Sequence, residues 1–171
     1  DGLLRMDVPE EIEALRYGAV KKRNLSVPSD TEVSVDGVGG NSLELIVDMV
    51  SDRASVFGVK VCASPDGEEE TSIFYDATEG KLKIDTRKSG PEDTPKTVEA
   101  APFELKKGER LKLRIFVDKS VAEVFANSRQ AVTRRIYPSR ADSVGVRLFS
   151  TGGDTEVRTL EAYSITPANP Y

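Results

Sequence analysis

Most of this chain alternates apolar and polar residues with a period of two, the spacing of half-buried strands. The alternation predicts strands at Leu43–Val50, Ser55–Cys62, Thr71–Tyr75, Lys81–Asp85, Leu111–Val117, Val121–Ala126, Ala131–Tyr137, Val144–Ser150 and Thr155–Ile165. Between them lie "DGVGG" (36–40), "SPDGEEE" (64–70), "SGPEDTP" (89–95), "KKGER" (106–110) and "STGGD" (150–154), rich in the Gly, Pro and Asp that turns demand. Only "DVPEEIEALR" (7–16) has a helical spacing. Pro9 suits a first helical position, three glutamates favour the positive end, and Ile12 and Leu15 give one apolar stripe. Many short strands with no helices between them predict an all-β, antiparallel two-sheet β-sandwich of the lectin-like jelly-roll kind, preceded by one short helix or turn.

The stretch "FVDKSVAEVFANSR" (116–129) carries two carboxylates, Asp118 and Glu123, and raises the question of an acid/base pair. A loop at Lys119 and Ser120 pairs Val117 with Ala122 and Ile115 with Val124. Leu113, Ile115, Val117, Ala122, Val124 and Ala126 then share a clean core face. The opposite face holds Arg114, Phe116, Asp118, Val121, Glu123 and Phe125, and a turn at Ser128 and Arg129 brings Arg134 beside Glu123. Arg114, Asp118, Glu123 and Arg134 are thus expected to form a structural polar network. Guanidinium neighbours favour an ionised acid, the reverse of what a proton donor needs. The stretch therefore reads as a sandwich hairpin with Glu123 as its polar anchor.

Composition narrows the function classes. The 171 residues suffice for one buried core, and a net charge of −5 lacks the basic surface that a nucleic-acid partner requires. No apolar run is long enough to suggest a membrane span. The chain has no histidine and a single cysteine, Cys62, which excludes a Ser-His-Asp triad, a Cys-His pair, a histidine-ligated zinc and an internal disulfide within it. The start at Asp1, without Met or a secretory leader, reads as that of a processed or excised piece.

The remaining signals are local. The acidic "DGEEE" (66–70) lacks the ligand alternation of a calcium loop and reads as a solvated turn, "GVGG" (37–40) as a tight turn, and "NLS" (24–26) as a glycosylation triplet that matters only in a eukaryotic secretory setting. "FYDATEGKLKIDTRKSG" (74–90) reads as a hairpin turning at Thr78–Gly80. Tyr75, Asp85 and Arg87 supply a flat ring, an acceptor and a fork of donors, the mixture that sugar hydroxyls call for. An Asp–Arg pair beside a packed tyrosine accounts for the same residues.

Two longer stretches carry a resemblance. "LRIFVDKSVAEVFANSRQAVTRRIYPSRADSVGVRLFSTGGDTEVRTLEAYSI" (113–165) resembles the "VDxSxxEVF", "TRRIYP", "GVRLF" and "LEAY" pattern of the C-terminal β-sandwich module of glycoside hydrolase family 32. "YDATEGKLKIDTRKSG" (75–90) and "PEEIEALR" (9–16) are similar to further segments of that family, which includes invertases, inulinases, levanases and fructan exohydrolases.

The resemblance implies residues 1–20 as a linker from an N-terminal five-bladed propeller and 21–171 as the sandwich. It implies catalysis in the propeller, by an Asp in a "WMNDPNG"-like motif, an Asp in "RDP" and a Glu in "EC". This chain has no Trp, no Asp-Pro and no Glu-Cys, so no catalytic residue carries over, and no cofactor or metal is implied. The expected role is structural support of that propeller, with oligomerisation on a mixed face of Phe116, Val121, Phe125 and Ile136. The alternative is a module that binds fructan or sucrose-type sugars through Tyr75, Asp85, Arg87 and Glu123. The parent enzyme would be extracellular or periplasmic.

Overall fold

The computed structural model describes residues 4–168. A 3₁₀ turn (Glu10–Leu15) leads into twelve strands. The first six are β1 (Arg16–Val27), β2 (Thr31–Gly39), β3 (Ser42–Val50), β4 (Val56–Ala63), β5 (Thr71–Asp76) and β6 (Lys81–Asp85). The others are β7 (Val98–Pro102), β8 (Leu111–Asp118), β9 (Val121–Ala126), β10 (Gln130–Arg135), β11 (Gly145–Thr151) and β12 (Thr155–Ile165). They pair antiparallel in two six-stranded sheets, β1-β12-β3-β8-β9-β10 and β2-β11-β4-β5-β6-β7. The expected β-sandwich is the architecture observed.

Alternation explains the core. The inward residues of the first sheet, Leu43, Leu45, Val47, Leu113, Ile115, Val117, Ala122 and Val124, meet Phe57, Val59, Ile73, Leu82, Ile84 and Leu148 of the second. All are at most 2% exposed, so two apolar faces bury each other in one layer.

The alternation does not predict strands β1, β2 and β7, and all three lie at sheet edges. In β1 the run Lys21-Lys22-Arg23 breaks the alternation. Charges there suit an edge strand, where they discourage pairing with a second chain. "DGVGG" also differs from its reading as a simple turn. Asp36–Gly39 belongs to β2, which is irregular there against β11, and Gly37 holds φ +79°. The sandwich begins with β1 at Arg16, within the stretch expected to be a linker.

Cys62 sits at a bulge in β4, where the register with β11 slips between Arg147↔Lys60 and Gly145↔Ala63. Its φ is +48° and its side chain is buried. Burial, with a smaller push from Glu69, raises its thiol to about 11. The native chain should therefore resist a disulfide reagent such as DTNB, with labelling that follows unfolding rather than reagent concentration. Immediate stoichiometric labelling of the folded chain would contradict that environment.

Candidate functional site

With the core filled, the available chemistry lies on the two outer faces. On the first sheet the ladder registers line up two cross-strand rows. One runs Tyr163–Glu44–Phe116–Glu123–Thr133 and the next Glu161–Ile46–Arg114–Phe125–Ala131. Phe116 and Phe125 meet edge to face at 6.4 Å, and Val121 beside them is 40% exposed. The centre of this face is Glu44, which is 0% exposed although it points away from the core. Arg16 holds it with Nε to Oε2 and Nη2 to Oε1, both at 2.7 Å, and Arg114 Nε donates to Oε1 at 2.7 Å. Burial pushes the Glu44 carboxyl up, but the two guanidinium hydrogen bonds together outweigh it and leave it below the usual range.

The expected polar network is rearranged. Val117 does pair with Ala122, Ile115 with Val124 and Phe116 with Glu123. The next turn, however, spans Asn127, Ser128 and Arg129, with Gln130 opposite Ala126. The turn holds one residue more than expected, with Asn127 at φ +48° and Ser128 at φ +51°. A one-residue slip exchanges the faces of a strand. Thr133 therefore stands opposite Glu123, with Oγ1 at 3.3 Å from Oε1, and Arg134 turns inward at the sheet edge. There Arg134 bridges to the other sheet, reaching Thr97 Oγ1 at 2.8 Å and Glu99 at 3.2 Å. Arg114 serves Glu44 instead of Glu123, and Asp118 is exposed at the hairpin end. Ile136, expected on the exposed mixed face, is fully buried in the core.

The second sheet's outer face holds the other cluster. Phe149 pairs with Gly58 and Gly58 with Phe74. The missing side chain at Gly58 lets the two rings approach edge to face at 5.9 Å. Around them a cleft of about 520 Å³ is lined by Lys60, Glu70, Asp85, Arg87 and others. Lys60 sits 5.4 Å above the Phe149 ring, 2.8 Å from Glu70, and pairs with Glu32 as well. Asp85 accepts from Arg87 at 2.6 Å, and that arginine is 67% exposed. Burial raises the Asp85 carboxyl, and its hydrogen bonds to Arg87 more than reverse this.

The four residues expected to bind sugar do not converge. Asp85 and Arg87 share this cleft, while Glu123 belongs to the other sheet. Tyr75 points into the core, edge to face with Phe57 at 5.8 Å and Phe103 at 5.9 Å, its hydroxyl accepting from Leu105 N at 3.3 Å. Phe74, Phe149, Lys60 and Glu70 escaped the sequence reading. Strand parity puts Phe74 opposite to Tyr75, a signal that was present, but the meeting with Phe149 required the pairing order of the sheet.

"DGEEE" is more than a solvated turn. Glu69 is 5% exposed and accepts from Ser139 N, Ser139 Oγ and Arg140 N at 2.6–3.1 Å. Glu70, also 5% exposed, takes Lys60. Among the described residues no group of three or more carboxylate or thiol side chains is arranged to hold a metal ion.

Three other carboxylates, Asp76, Glu44 and Asp85, set the acid limit of the fold. For Asp76, burial raises the carboxyl, but Lys83, Thr78 and the Glu79 amide bring it down to about 2. Glu44 and Asp85 are likewise depressed. A depressed carboxyl stabilises the fold fully above its unfolded value, roughly pH 4–4.5. That stabilisation disappears as pH falls toward the folded value. Urea midpoints should hold at mildly acidic pH and drop steadily between about pH 4.5 and 2. A flat profile through that window would mean that these contacts contribute nothing.

A two-sheet sandwich whose interior is closed and whose outer faces carry its chemistry is the class defined by this geometry. The chain belongs to the family described as glycosyl hydrolases family 32 C terminal, whose model matches residues 11–164. It is 32% identical over 166 residues to a levanase of Bacillus subtilis, covering 91% of this chain and 24% of that protein. An extracellular exo-inulinase of Aspergillus niger is 35% identical over 118 residues, 67% of this chain and 22% of that protein. This chain therefore spans about a quarter of the length of these relatives. Among solved structures, the exo-inulinase of Aspergillus awamori superimposes with a TM-score of 0.75 at 27% identity, covering 91% of this chain and 31% of that one. The fructan 1-exohydrolase IIa of Cichorium intybus gives 0.82 at 19% identity over 94% and 37%, a likeness of fold. No helix among the described residues is long and apolar enough to cross a membrane.

Proposed function

We propose that this chain is the non-catalytic C-terminal module of a β-fructoside hydrolase and supports the N-terminal five-bladed propeller that carries catalysis. The observation that carries the reading is the outer face of the first sheet. Phe116, Phe125 and Val121 lie there between charges, and the segment leading into β1 crosses the same face, with Met6 N donating to Ser128 O at 3.1 Å. Aromatic and arginine anchors in a polar surround are the composition of a docking surface. Three buried carboxylates of this chain offer no proton donor for independent catalysis. Glu44, Glu69 and Asp76 are held ionised, whereas a glycosidase needs one acid raised. The names of the relatives, levanase and exo-inulinase, point to fructans as the substrate class, and one of them is extracellular. The same face would serve a homo-oligomer.

The test is to mix this chain with the separately produced N-terminal part of its parent. A stoichiometric complex in gel filtration, weakened by Val121→Asp or Phe125→Asp, is the expected result. No complex, or one indifferent to both substitutions, would reject docking through this face.

A second reading rests on the cleft over Phe74 and Phe149, where rings, acceptors and the exposed Arg87 fork lie together. There the module would bind fructan chains. Titration with levan and inulin should give saturable heat, and Arg87→Ala should weaken binding roughly 10- to 100-fold, the effect of losing one charge-assisted hydrogen bond. An affinity unchanged by Arg87→Ala and Asp85→Asn would remove this site from consideration.

A further inference from the structure

A sheet face that looks away from the core has little use for a buried carboxylate. Apolar side chains in place of the whole charged cluster would avoid the cost of desolvating charge, and such wholesale replacements are often neutral or stabilising. Glu44 nevertheless occupies the position with no exposure, and the groups covering it explain what it achieves.

Arg16 lies across the Tyr163 ring at 4.6 Å and Arg114 across Phe116 at 5.3 Å. Each guanidinium spends part of its donor fork on Glu44 and reaches with the remainder toward the lead-in segment. Arg16 Nη1 is 3.0 Å from Glu13. Arg114 Nη2 is 3.9 Å from Glu13 and its Nη1 is 4.0 Å from Asp7. The 3₁₀ turn that bears Glu13 has no fully buried residue, and its apolar side chains Ile12 and Leu15 are only half-buried, so apolar contact seats it weakly. The backbone of the whole segment of residues 6–15 is tethered at its two ends, by Met6 N to Ser128 O at 3.1 Å and by Thr166 N to Leu15 O at 3.0 Å.

We infer that Glu44 is the centre of an orientation lock. It holds two arginines in place on the sheet, and these hold the segment of residues 6–15 across the first sheet's outer face. The lock fixes the direction from which the chain reaches β1. It requires arginine, because only a planar fork can serve Glu44 bidentately and still present a third nitrogen to Glu13. The lock stands on these contacts alone. Only its consequence, a defined angle for a preceding domain, rests on the docking reading above.

Backbone amide order parameters of this chain test the inference, comparing the wild type with Glu44→Met and Arg16→Lys. In the wild type residues 6–15 should be ordered like the strands, near about 0.85. In Glu44→Met the strands should keep that value while residues 6–15 drop below about 0.6. Arg16→Lys keeps the charge and loses the fork, so it should loosen the segment in the same direction, and it decides the question if Glu44→Met does not fold. A wild-type segment already below that limit would overturn the lock, as would folded variants whose segment stays as ordered as before. Because the measurement uses this chain alone, failure to bind a propeller would reject the docking reading and leave this result untouched.

Discussion

Glu44→Ala should destabilise the sandwich by about 3–5 kcal/mol, because it strands two mostly buried guanidiniums over a cavity. In a thermal melt this corresponds to a fall on the order of 10 °C for a chain of this size. The arginines are only 14% and 17% exposed, and Arg114 Nη2 already lacks a hydrogen-bond partner among the described residues. Losing the carboxylate leaves the pair facing each other across the site it occupied. Glu44→Ala combined with Arg114→Leu should recover part of the loss, since the repulsion and the unpaired donor disappear together. Additive losses in that pair of variants would show that the contacts act independently and that Glu44 is not a shared centre.

Tyr75→Ala should cost a similar about 3–5 kcal/mol, the usual penalty for removing a buried ring. The ring is 5% exposed, packed edge to face between Phe57 and Phe103, so its removal opens a cavity in the core that those neighbours cannot close. Tyr75→Phe keeps the ring and loses only the hydroxyl that accepts from Leu105 N, a difference of about 1 kcal/mol. Urea unfolding of the three proteins separates a core residue from a sugar-stacking one. A urea midpoint unchanged by Tyr75→Ala would place the ring outside the core. Loss of stability in Tyr75→Ala with little change in Tyr75→Phe is the expected pattern.

Both readings of "FYDATEGKLKIDTRKSG" fit its residues, because alternation assigns parity without saying which parity faces inward. Tyr75 and Phe74 are neighbours in sequence, and either could have been the buried ring. The register of β4, β5 and β6 decided it, setting Phe74 over Gly58 with Phe149 and Tyr75 against Phe57. The hairpin of β8 and β9 was legible to the residue, since a shift by one would have put Glu123 in the core. The step to β10 was not. Arg134 and Arg135 are adjacent and put one charge on each face in either register, so the length of the Asn127–Arg129 turn alone set where Arg134 went.

Sequence by itself determined the class of this protein. Alternating apolar residues and the turn chemistry between them sufficed for a β-sandwich, the absence of histidine excluded histidine-dependent sites, and the ordered motifs of residues 113–165 pointed to its family. Tertiary structure decided which charges meet. Arg16, Glu44 and Arg114 lie on three strands that are far apart in the chain, and nothing local distinguishes Glu44 from any other outward-facing glutamate. The physical reason is range. Periodicity and turn propensity act over a few residues and are written into each segment, whereas an ion pair forms only after strand order and register have brought its partners within about 4 Å.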